Sequence, residues 1–341
     1  MQDEAALRQQ VMGMVQGTMT LQVAFVGVSS GALASLNEAG VASTSALATR
    51  SGLDEGYLED WCAAAYAFSL VDRETAGWRL TPLGVLFCPD TPGTLMPAAF
   101  QAAFAAHMSD HAVTGLRTGA QPGEAVLGEK PNLAAGFGAM LELGFGGIFE
   151  NEILPTVPVF AELGARGGVA VDLGCGNGWY LRRLAAAYPT LTGVGLDGMQ
   201  VNIADAQAQA AAAGLSDRLR FEQGDVHQLA LLDGVDLVAM NRALHHVWQG
   251  HAALFQRIAA ALRPGGAVVI WEPRWPDDLT ELRGPPMRPL AFQNLAEHVQ
   301  GNHFLRPAEI CEALTNAGLE PEQFSFMGGR EVVVVGRKSG A

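Results

Sequence analysis

The chain has 341 residues, of which 49% are hydrophobic, and a formal net charge of −14 at pH 7. This length can support two domains with buried cores, and the composition is that of a globular protein rather than a disordered one. The acidic balance argues against nucleic acid and anionic membranes as partners, because both are recognised mainly through Lys and Arg.

The cysteines and the first residues predict a cytoplasmic protein. The four cysteines are scattered, with no Cys-x-x-Cys pair, which predicts neither a disulfide framework nor a zinc site and is typical of a reducing compartment. The start, MQDEAALRQQ, carries acids and lacks the basic n-region of a signal peptide. We also expect no membrane-spanning segment.

Residues 1–92 predict a mainly helical domain that ends in a β-hairpin. A short capped helix is expected from Ser43 to Gly52, a second helix from Asp54, and a hairpin with Ala76-Gly77 near its tip. This order is typical of a winged-helix domain. The second helix carries four acids and no Lys or Arg between Asp54 and Val71, so we expect dimerisation rather than DNA binding.

Residues 93–165 predict connecting helices that line a substrate cleft, with breaks at 121–123 and 130–132. His107 and His111 are spaced four apart on one of these helices, a spacing that can make a metal pair. No Glu follows His107 as a zinc-protease helix would require. The favoured interpretation is therefore two polar residues on a cleft or helix face, without a metal.

The most informative segment is 169–179, which reads VAVDLGCGNGW. An apolar run ends in Asp172, and Gly174, Gly176 and Gly178 follow at alternate positions. This pattern predicts a buried parallel strand that turns sharply into a helix. Glycines there let the backbone approach a ligand closely, beside the positive end of the helix.

The ends of the next two strands indicate the kind of ligand. The strand 192–196 is followed by Asp197, which can accept from both hydroxyls of a ribose. The strand 218–223 precedes Asp225, which can accept from an adenine amine. The glycine spacing differs from the dinucleotide fingerprint, and Asp172 would repel a pyrophosphate. An amino acid joined to adenosine suits these residues better than a dinucleotide.

Five segments in order resemble the class I S-adenosylmethionine-dependent methyltransferases. They read VDLGCGNG, GVGLDGM, GDVHQL, DLVAMNRALHHV and LRPGGAVVIWEP. The resemblance covers about half of the chain and implies S-adenosyl-L-methionine as cofactor. The cofactor-binding residues that it implies are Asp172, Gly174, Cys175, Gly176, Asp197, Gly198, Met199, Asp225, Val226, Asn241 and Arg242.

Residues 166–341 predict the catalytic domain, an α/β fold with a Rossmann-like, doubly wound sheet. The expected strands lie near 169–173, 192–196, 218–223, 235–240, 266–272, 322–328 and 331–337. The last two, separated by Gly328-Gly329-Arg330, should form an antiparallel hairpin at the sheet edge. The proline-rich insertion 273–305 predicts a lid.

Three side chains beyond the ends of the fourth and fifth strands are the catalytic candidates, namely His245, His246 and Glu272. A histidine is well suited to act as a general base near neutral pH, and His245 is preferred. Methyl transfer needs a base only if the acceptor starts protonated, so much of the rate can come from positioning. It is also open whether His245 only shapes the pocket and whether Glu272 pairs with an arginine.

The expected function is methyl transfer to a small molecule by a homodimer, in secondary metabolism, with O-methylation favoured over N- or C-methylation. The chain also resembles, more faintly, the α-keto-acid C-methyltransferases, which would place a metal at His245, His246 and His298. The carboxylate of that family's ligand set is replaced here by His246. Two further functions stay open, a cofactor-sensing winged-helix regulator and a cofactor-binding enzyme with a non-methyl reaction.

Overall fold

The structure is a computed structural model that describes residues 4–228 and 234–340, with the backbone alone at Ala135. Leu229, the last residue of the predicted third segment, lies outside this description. Two compact units are formed, Met1–His111 with Leu127–Leu143, and Ala112–Val126 with Gly144–Ala341. All three boundaries between the units, at 111/112, 126/127 and 143/144, fall within the predicted connecting segment. The three-part division at 92 and 165 stays a prediction.

The N-terminal region has the predicted order of helices followed by a hairpin. Its elements are α1 (Glu4–Ser29), α2 (Ala32–Ala39), α3 (Thr44–Ser51), α4 (Glu55–Ala67), β1 (Val71–Glu74), β2 (Gly77–Leu80) and α5 (Pro82–Val85). The Ser43 side chain caps α3 by accepting from the Ala46 N–H, and the Asp54 carboxylate caps α4 by accepting from the Tyr57 N–H. The winged-helix assignment stays a prediction.

A series of helices follows in the chain before the sheet begins. They are α6 (Met96–Thr118), a 3-10 helix (Glu124–Glu129), α7 (Pro131–Ile148), a π-helical turn (Phe149–Ile153), α8 (Leu154–Thr156) and α9 (Pro158–Arg166). The breaks expected at 121–123 and 130–132 lie at the two ends of the 3-10 helix, where α6 has ended and α7 begins. Proline lacks the N–H that continues a helix, which explains why α7 starts at Pro131.

The expected α/β fold is confirmed. The strands are β3 (Val169–Leu173), β4 (Thr192–Asp197), β5 (Leu219–Gln223), β6 (Val235–Asn241), β7 (Leu262–Pro273), β8 (Glu320–Phe326) and β9 (Glu331–Arg337). The helices are α10 (Trp179–Ala187), α11 (Gln200–Ala212), α12 (His251–Ala261), α13 (Arg288–Val299) and α14 (Pro307–Asn316), and three short 3-10 helices cover Leu244–Val247, Leu279–Arg283 and Met327–Gly329.

The seven strands lie in the order β5-β4-β3-β6-β7-β9-β8. The pairs from β5 to β7 are parallel, whereas β9 is antiparallel to both β7 and β8. The final hairpin is thus confirmed, with its second strand inserted inside the sheet and β8 at the edge. Apolar side chains from both faces of the sheet pack into two buried clusters with the flanking helices.

Two helices in the described part of the chain are long and apolar enough to span a membrane, namely Glu4–Ser29 and the run Pro131–Thr156. The sequence does contain a charge-free run of membrane-spanning length, residues 9–37, so the expectation that no such run exists was wrong. One or two helices of this kind are weak evidence for a membrane protein, since helices of soluble proteins also meet the criterion. The absence of a membrane partner stays a prediction.

Candidate functional site

The strand order places one crevice at the middle of the sheet. The chain runs outward from β3 to β5 on one side and from β6 to β7 on the other, so the order reverses between β3 and β6. Ligands of open α/β sheets bind beyond the carboxyl ends of the strands at such a reversal. Asp172 lies near the end of β3 and Asn241 at the end of β6, and both are therefore close to this crevice.

The glycine loop between β3 and α10 combines two glycines that packing requires with one that borders open space. All three, Gly174, Gly176 and Gly178, have positive φ, between 52° and 75°. A Cβ on Gly174 would lie 2.6 Å from Ala243, and one on Gly178 would lie 2.5 Å from the Phe221 ring. A Cβ on Gly176 would meet nothing within 4 Å. The backbone at Gly176 is thus the part of the loop that a ligand can approach.

Asp197 holds the glycine loop as well as lying at the predicted ribose position. Its Oδ2 accepts from the Gly176 N–H at 2.9 Å, and its Oδ1 accepts from the Met199 N–H at 2.9 Å and from Asn202 Nδ2 at 3.0 Å. A carboxylate has about four acceptor positions, so these three bonds leave about one position for a ribose hydroxyl. The sequence did not indicate Asn202, because its role depends on a contact across the first turn of α11.

Asp172 is the outstanding electrostatic feature of the site. The residue is only 1% exposed, and neither carboxylate oxygen has a hydrogen-bond partner among the described residues. Burial, and secondarily the charge of Asp197, raises the pKa of Asp172 to about 8. Asn241 Oδ1 is also buried without such a partner. Unpaired buried acceptors are costly, so their presence on adjacent strands indicates a ligand that brings donors or positive charge.

Four further predicted cofactor residues have contacts of their own. Cys175 is buried, and desolvation followed by the charge of Asp172 raises the pKa of its thiol, so the side chain is a neutral packing group. Asp225 is exposed and accepts from the His227 N–H at 2.8 Å. The Val226 carbonyl accepts from Arg257 at 3.0 Å. Gly198 likewise accepts through its carbonyl, from Gln223 at 3.0 Å.

The Arg242 side chain forms an ion pair with Glu331, a buried acid that the sequence analysis did not identify. Its Nη1 donates to both oxygens of Glu331 at 2.8 and 2.7 Å, and its guanidinium lies 4.3 Å from the centre of the Phe145 ring. Trp271 Nε1 donates to the same carboxylate at 2.9 Å. The Arg242 side chain therefore joins β6 to β7 and β9, and its backbone N–H donates to the Trp271 carbonyl at 2.7 Å.

His245 and Glu272 form a buried pair at the ends of β6 and β7. His245 Nδ1 lies 2.5 Å from Glu272 Oε2, while the other Glu272 oxygen accepts from the Leu244 N–H at 2.8 Å. Burial by itself would raise the pKa of Glu272, but the interaction with His245, the charge of Arg242 and the Leu244 N–H together outweigh burial, and the pKa is lowered. Because Nδ1 faces a carboxylate, we assign the ring proton to Nδ1, directed at Glu272, which leaves Nε2 as the nitrogen that can accept a proton.

Two acids missed in the sequence complete the surroundings of the histidines. Glu297 of α13 places Oε2 3.7 Å from His245 Nε2. Glu124 places Oε1 2.9 Å from His246 Nδ1, which also lies 2.9 Å from Asn302 Nδ2. Burial by itself would lower the pKa of His246, but the hydrogen bond with Glu124 and the charges of Glu297, Glu124 and Glu272 together outweigh burial, and the pKa is raised. His246 is therefore suited to an ion pair and His245 is the better general base.

The three histidines that the fainter resemblance would place at a metal, His245, His246 and His298, do not form one cluster. The ligand atoms of His245, His246 and Glu297 lie within 4.8 Å of one another, whereas His298 contacts Gln121 through its ring and its carbonyl. Neighbouring helical residues point about 100° apart, so Glu297 faces the histidines and His298 cannot also do so.

A family model of known proteins matches the part of the chain that contains the glycine loop and strands β3 to β6. Residues 170–266 match a family model described as a methyltransferase domain. A trans-aconitate 2-methyltransferase of Deinococcus radiodurans is 39% identical over 103 residues, which cover 30% of this chain and 37% of that enzyme. The chain spans half or less of the length of the curated relatives that it matches.

Solved structures resemble the chain over nearly its whole length. A mitomycin 7-O-methyltransferase has a TM-score of 0.70 at 21% identity, with 98% of each chain covered. Human N-acetylserotonin methyltransferase, solved in complex with its cofactor, has a TM-score of 0.72 at 19% identity, with 99% of each chain covered. Identity this low establishes likeness of fold. The chain thus contains a class I S-adenosylmethionine-dependent methyltransferase domain and has the fold of the small-molecule methyltransferases.

Proposed function

We propose that the protein transfers a methyl group from S-adenosylmethionine to a hydroxyl of a small-molecule acceptor, in secondary metabolism. The observation that carries this proposal is the buried carboxylate of Asp172, which has both oxygens unpaired beside the open backbone of Gly176. A pyrophosphate would bring these oxygens neither a hydrogen-bond donor nor a positive charge, whereas a ligand with cationic and donor groups would satisfy the carboxylate.

The residues present fit S-adenosylmethionine. Asp172 and Asn241 would face its amino-acid portion, Gly176 would let it approach the loop, and Asp197 would accept from a ribose hydroxyl. Asp225, at the end of the neighbouring strand, would accept from the adenine amine. When bound, this cofactor supplies a methyl group activated for direct displacement.

His245 would take the proton from the acceptor hydroxyl at Nε2. Glu272 fixes the ring orientation and stabilises the positive charge that forms on the imidazole, as a carboxylate does in other hydrogen-bonded His–acid pairs. Glu297 lies on the Nε2 side and would stabilise the same charge. His245 is 3% exposed, so water has little access to this nitrogen.

A methyl-acceptor screen tests the proposal. Phenols, aliphatic alcohols and amines are incubated with the protein and S-adenosylmethionine, and formation of the demethylated cofactor is followed by mass spectrometry. We expect turnover with at least one hydroxylated acceptor class, and His245→Ala should lower it by about a hundredfold or more without loss of cofactor binding. Turnover by the His245→Ala variant equal to that of the native chain would refute the assigned base.

Metal-assisted C-methylation of an α-keto acid is the second candidate, favoured by the cluster of His245, His246 and Glu297. The existing contacts of His246 with Glu124 and Asn302 would have to rearrange or support the metal from outside. A chelator separates the two candidates, because it should inactivate only a metal-dependent enzyme.

We also propose that the protein is a cytoplasmic homodimer that binds neither DNA nor membranes. Helix α1 presents an unusual number of exposed large apolar side chains, which a second copy would cover. These side chains are Leu7, Val11, Met12, Met14, Val15, Met19 and Val26.

A further inference from the structure

A second cluster of histidines lies in the first compact unit. Helix α6 carries His107 and His111 four residues apart, so both side chains project from the same face. Their ring centres are 4.9 Å apart. Glu129, the last residue of the 3-10 helix, approaches both rings from the chain segment that follows α6.

The three side chains direct their ligand atoms at one point. Glu129 Oε2 lies 2.9 Å from His111 Nε2 and 3.8 Å from His107 Nε2, and all three ligand atoms are within 4.8 Å of one another. Bond lengths of about 2.0–2.2 Å place the ligands of a tetrahedral zinc ion about 3.3–3.5 Å apart. Small side-chain rotations would therefore bring these atoms to that geometry.

The chemistry of the three donors favours a first-row transition metal. Two imidazoles and one carboxylate are a ligand set that zinc accepts, whereas magnesium and calcium prefer oxygen ligands throughout. The His107 side chain is 8% exposed and the Glu129 side chain 48%. The cluster is thus buried on the side of His107 and exposed on the side of Glu129, where an ion can enter from solvent.

A cavity adjoins the cluster. It has a volume of about 440 Å³, and His107 forms part of its wall together with Gln22, Phe25, Asp110 and Lys130. Three protein ligands leave one position of a tetrahedral zinc ion open. With His107 shared between cluster and cavity, that position can be taken by water or a small ligand within the cavity.

We propose that His107, His111 and Glu129 form a binding site for a divalent first-row cation, zinc foremost. The site lies entirely within the first compact unit and is separate from the catalytic candidates at His245 and His246. It does not depend on the proposed methyl transfer. Occupancy would fix the end of the 3-10 helix against α6.

Metal titration of the full-length chain tests this proposal. The protein is stripped with a chelator, dialysed and titrated with zinc by calorimetry, and cobalt is used as a spectroscopic probe of tetrahedral nitrogen and oxygen ligation. His111→Ala and Glu129→Gln should each lose one equivalent of metal or bind it at least tenfold more weakly. His303→Ala is the matched control, because His303 is exposed and lies outside both clusters.

The His245→Ala variant locates the metal. The proposal requires this variant to keep the equivalent that His111→Ala loses. Equal binding by the native chain, His111→Ala and Glu129→Gln, or loss of that equivalent only in His245→Ala, would overturn it. Glu129 is half exposed, so Glu129→Gln should fold normally, and a circular dichroism melt without metal checks this for every variant.

Discussion

His245 Nδ1 lies 2.5 Å from Glu272 Oε2, and the two side chains are almost completely buried. The Leu244 N–H holds the second oxygen of Glu272, so the carboxylate cannot rotate away without losing that bond. The pair therefore sets which nitrogen of His245 faces an acceptor. This relationship favours a positioned general base over a histidine that only shapes the pocket.

Replacing His245 should separate catalysis from binding. We expect His245→Ala to lower kcat by about a hundredfold or more, because a positioned base contributes about 10²–10⁴-fold, with cofactor affinity nearly unchanged. Steady-state kinetics and calorimetry measure the two quantities. Glu272→Gln should lower kcat by a smaller factor, since the amide does not enforce one tautomer. A raised KM with native kcat in His245→Ala would instead assign the residue to pocket shape.

The buried acid predicts an unusual pH dependence for the ligand-free protein. The pKa of Asp172 is about 8 in the folded state, against an ordinary value of 3.8. Between these values the folded chain keeps a proton that the unfolded chain has released, so the free energy of unfolding should fall as pH rises from 4 to 8. The slope contributed by one group is at most about 1.4 kcal/mol per pH unit.

Asp172→Asn isolates that contribution. Urea unfolding at about pH 5 and about pH 8 should show a smaller loss of stability in the variant than in the native chain. A cationic ligand stabilises the ionised form, so the affinity of the native chain for S-adenosylmethionine should rise as pH approaches the pKa of about 8, and the variant should bind more weakly. Equal pH slopes in the two proteins would contradict the assignment of the raised pKa to Asp172.

The glycine loop predicts different outcomes for two neighbouring glycines. Gly176→Val should abolish cofactor binding while the chain still folds, because the added side chain enters open space. Its positive φ costs about 1–2 kcal/mol, which lowers Tm by a few degrees. Gly178→Val should lower Tm more, since its Cβ also meets the Phe221 ring at 2.5 Å. Native affinity in Gly176→Val would show that the loop does not contact the ligand.

The exposed face of α1 predicts a dimer that charge disrupts. Light scattering of the native protein should give twice the 35.9 kDa chain mass, and the double variant Val11→Glu/Val15→Glu should give a monomer. Gln16→Glu adds charge at an exposed polar position of the same helix and should remain dimeric. A native monomer, or cosedimentation of the native chain with neutral phosphatidylcholine vesicles, would contradict the dimer proposal.

Local patterns in the sequence predicted the sheet, because each strand from β3 to β7 ends at a recognisable turn or polar residue. Asp172, Asp197 and the glycines could be found in this way. Glu297 and Glu331 could not, since their contacts with His245 and Arg242 join segments more than fifty residues apart. The fainter resemblance implied His298 as a possible metal ligand, and the sequence could not indicate Glu297 instead because the phase of α13 was not known. Glu129 was missed because its contacts with the histidines of α6 are not local in the chain.

Calorimetric titration with S-adenosylmethionine, its demethylated product and NAD tests the central claim most directly. We predict binding of the first two ligands and no binding of NAD. Asp197→Ala should weaken binding by about 1.5–3 kcal/mol, the worth of a charge-assisted hydrogen bond, and Asp197→Asn should lose less because it keeps one acceptor. Binding of NAD, or failure of the native chain to bind S-adenosylmethionine, would contradict the assignment of this crevice to the methyl donor.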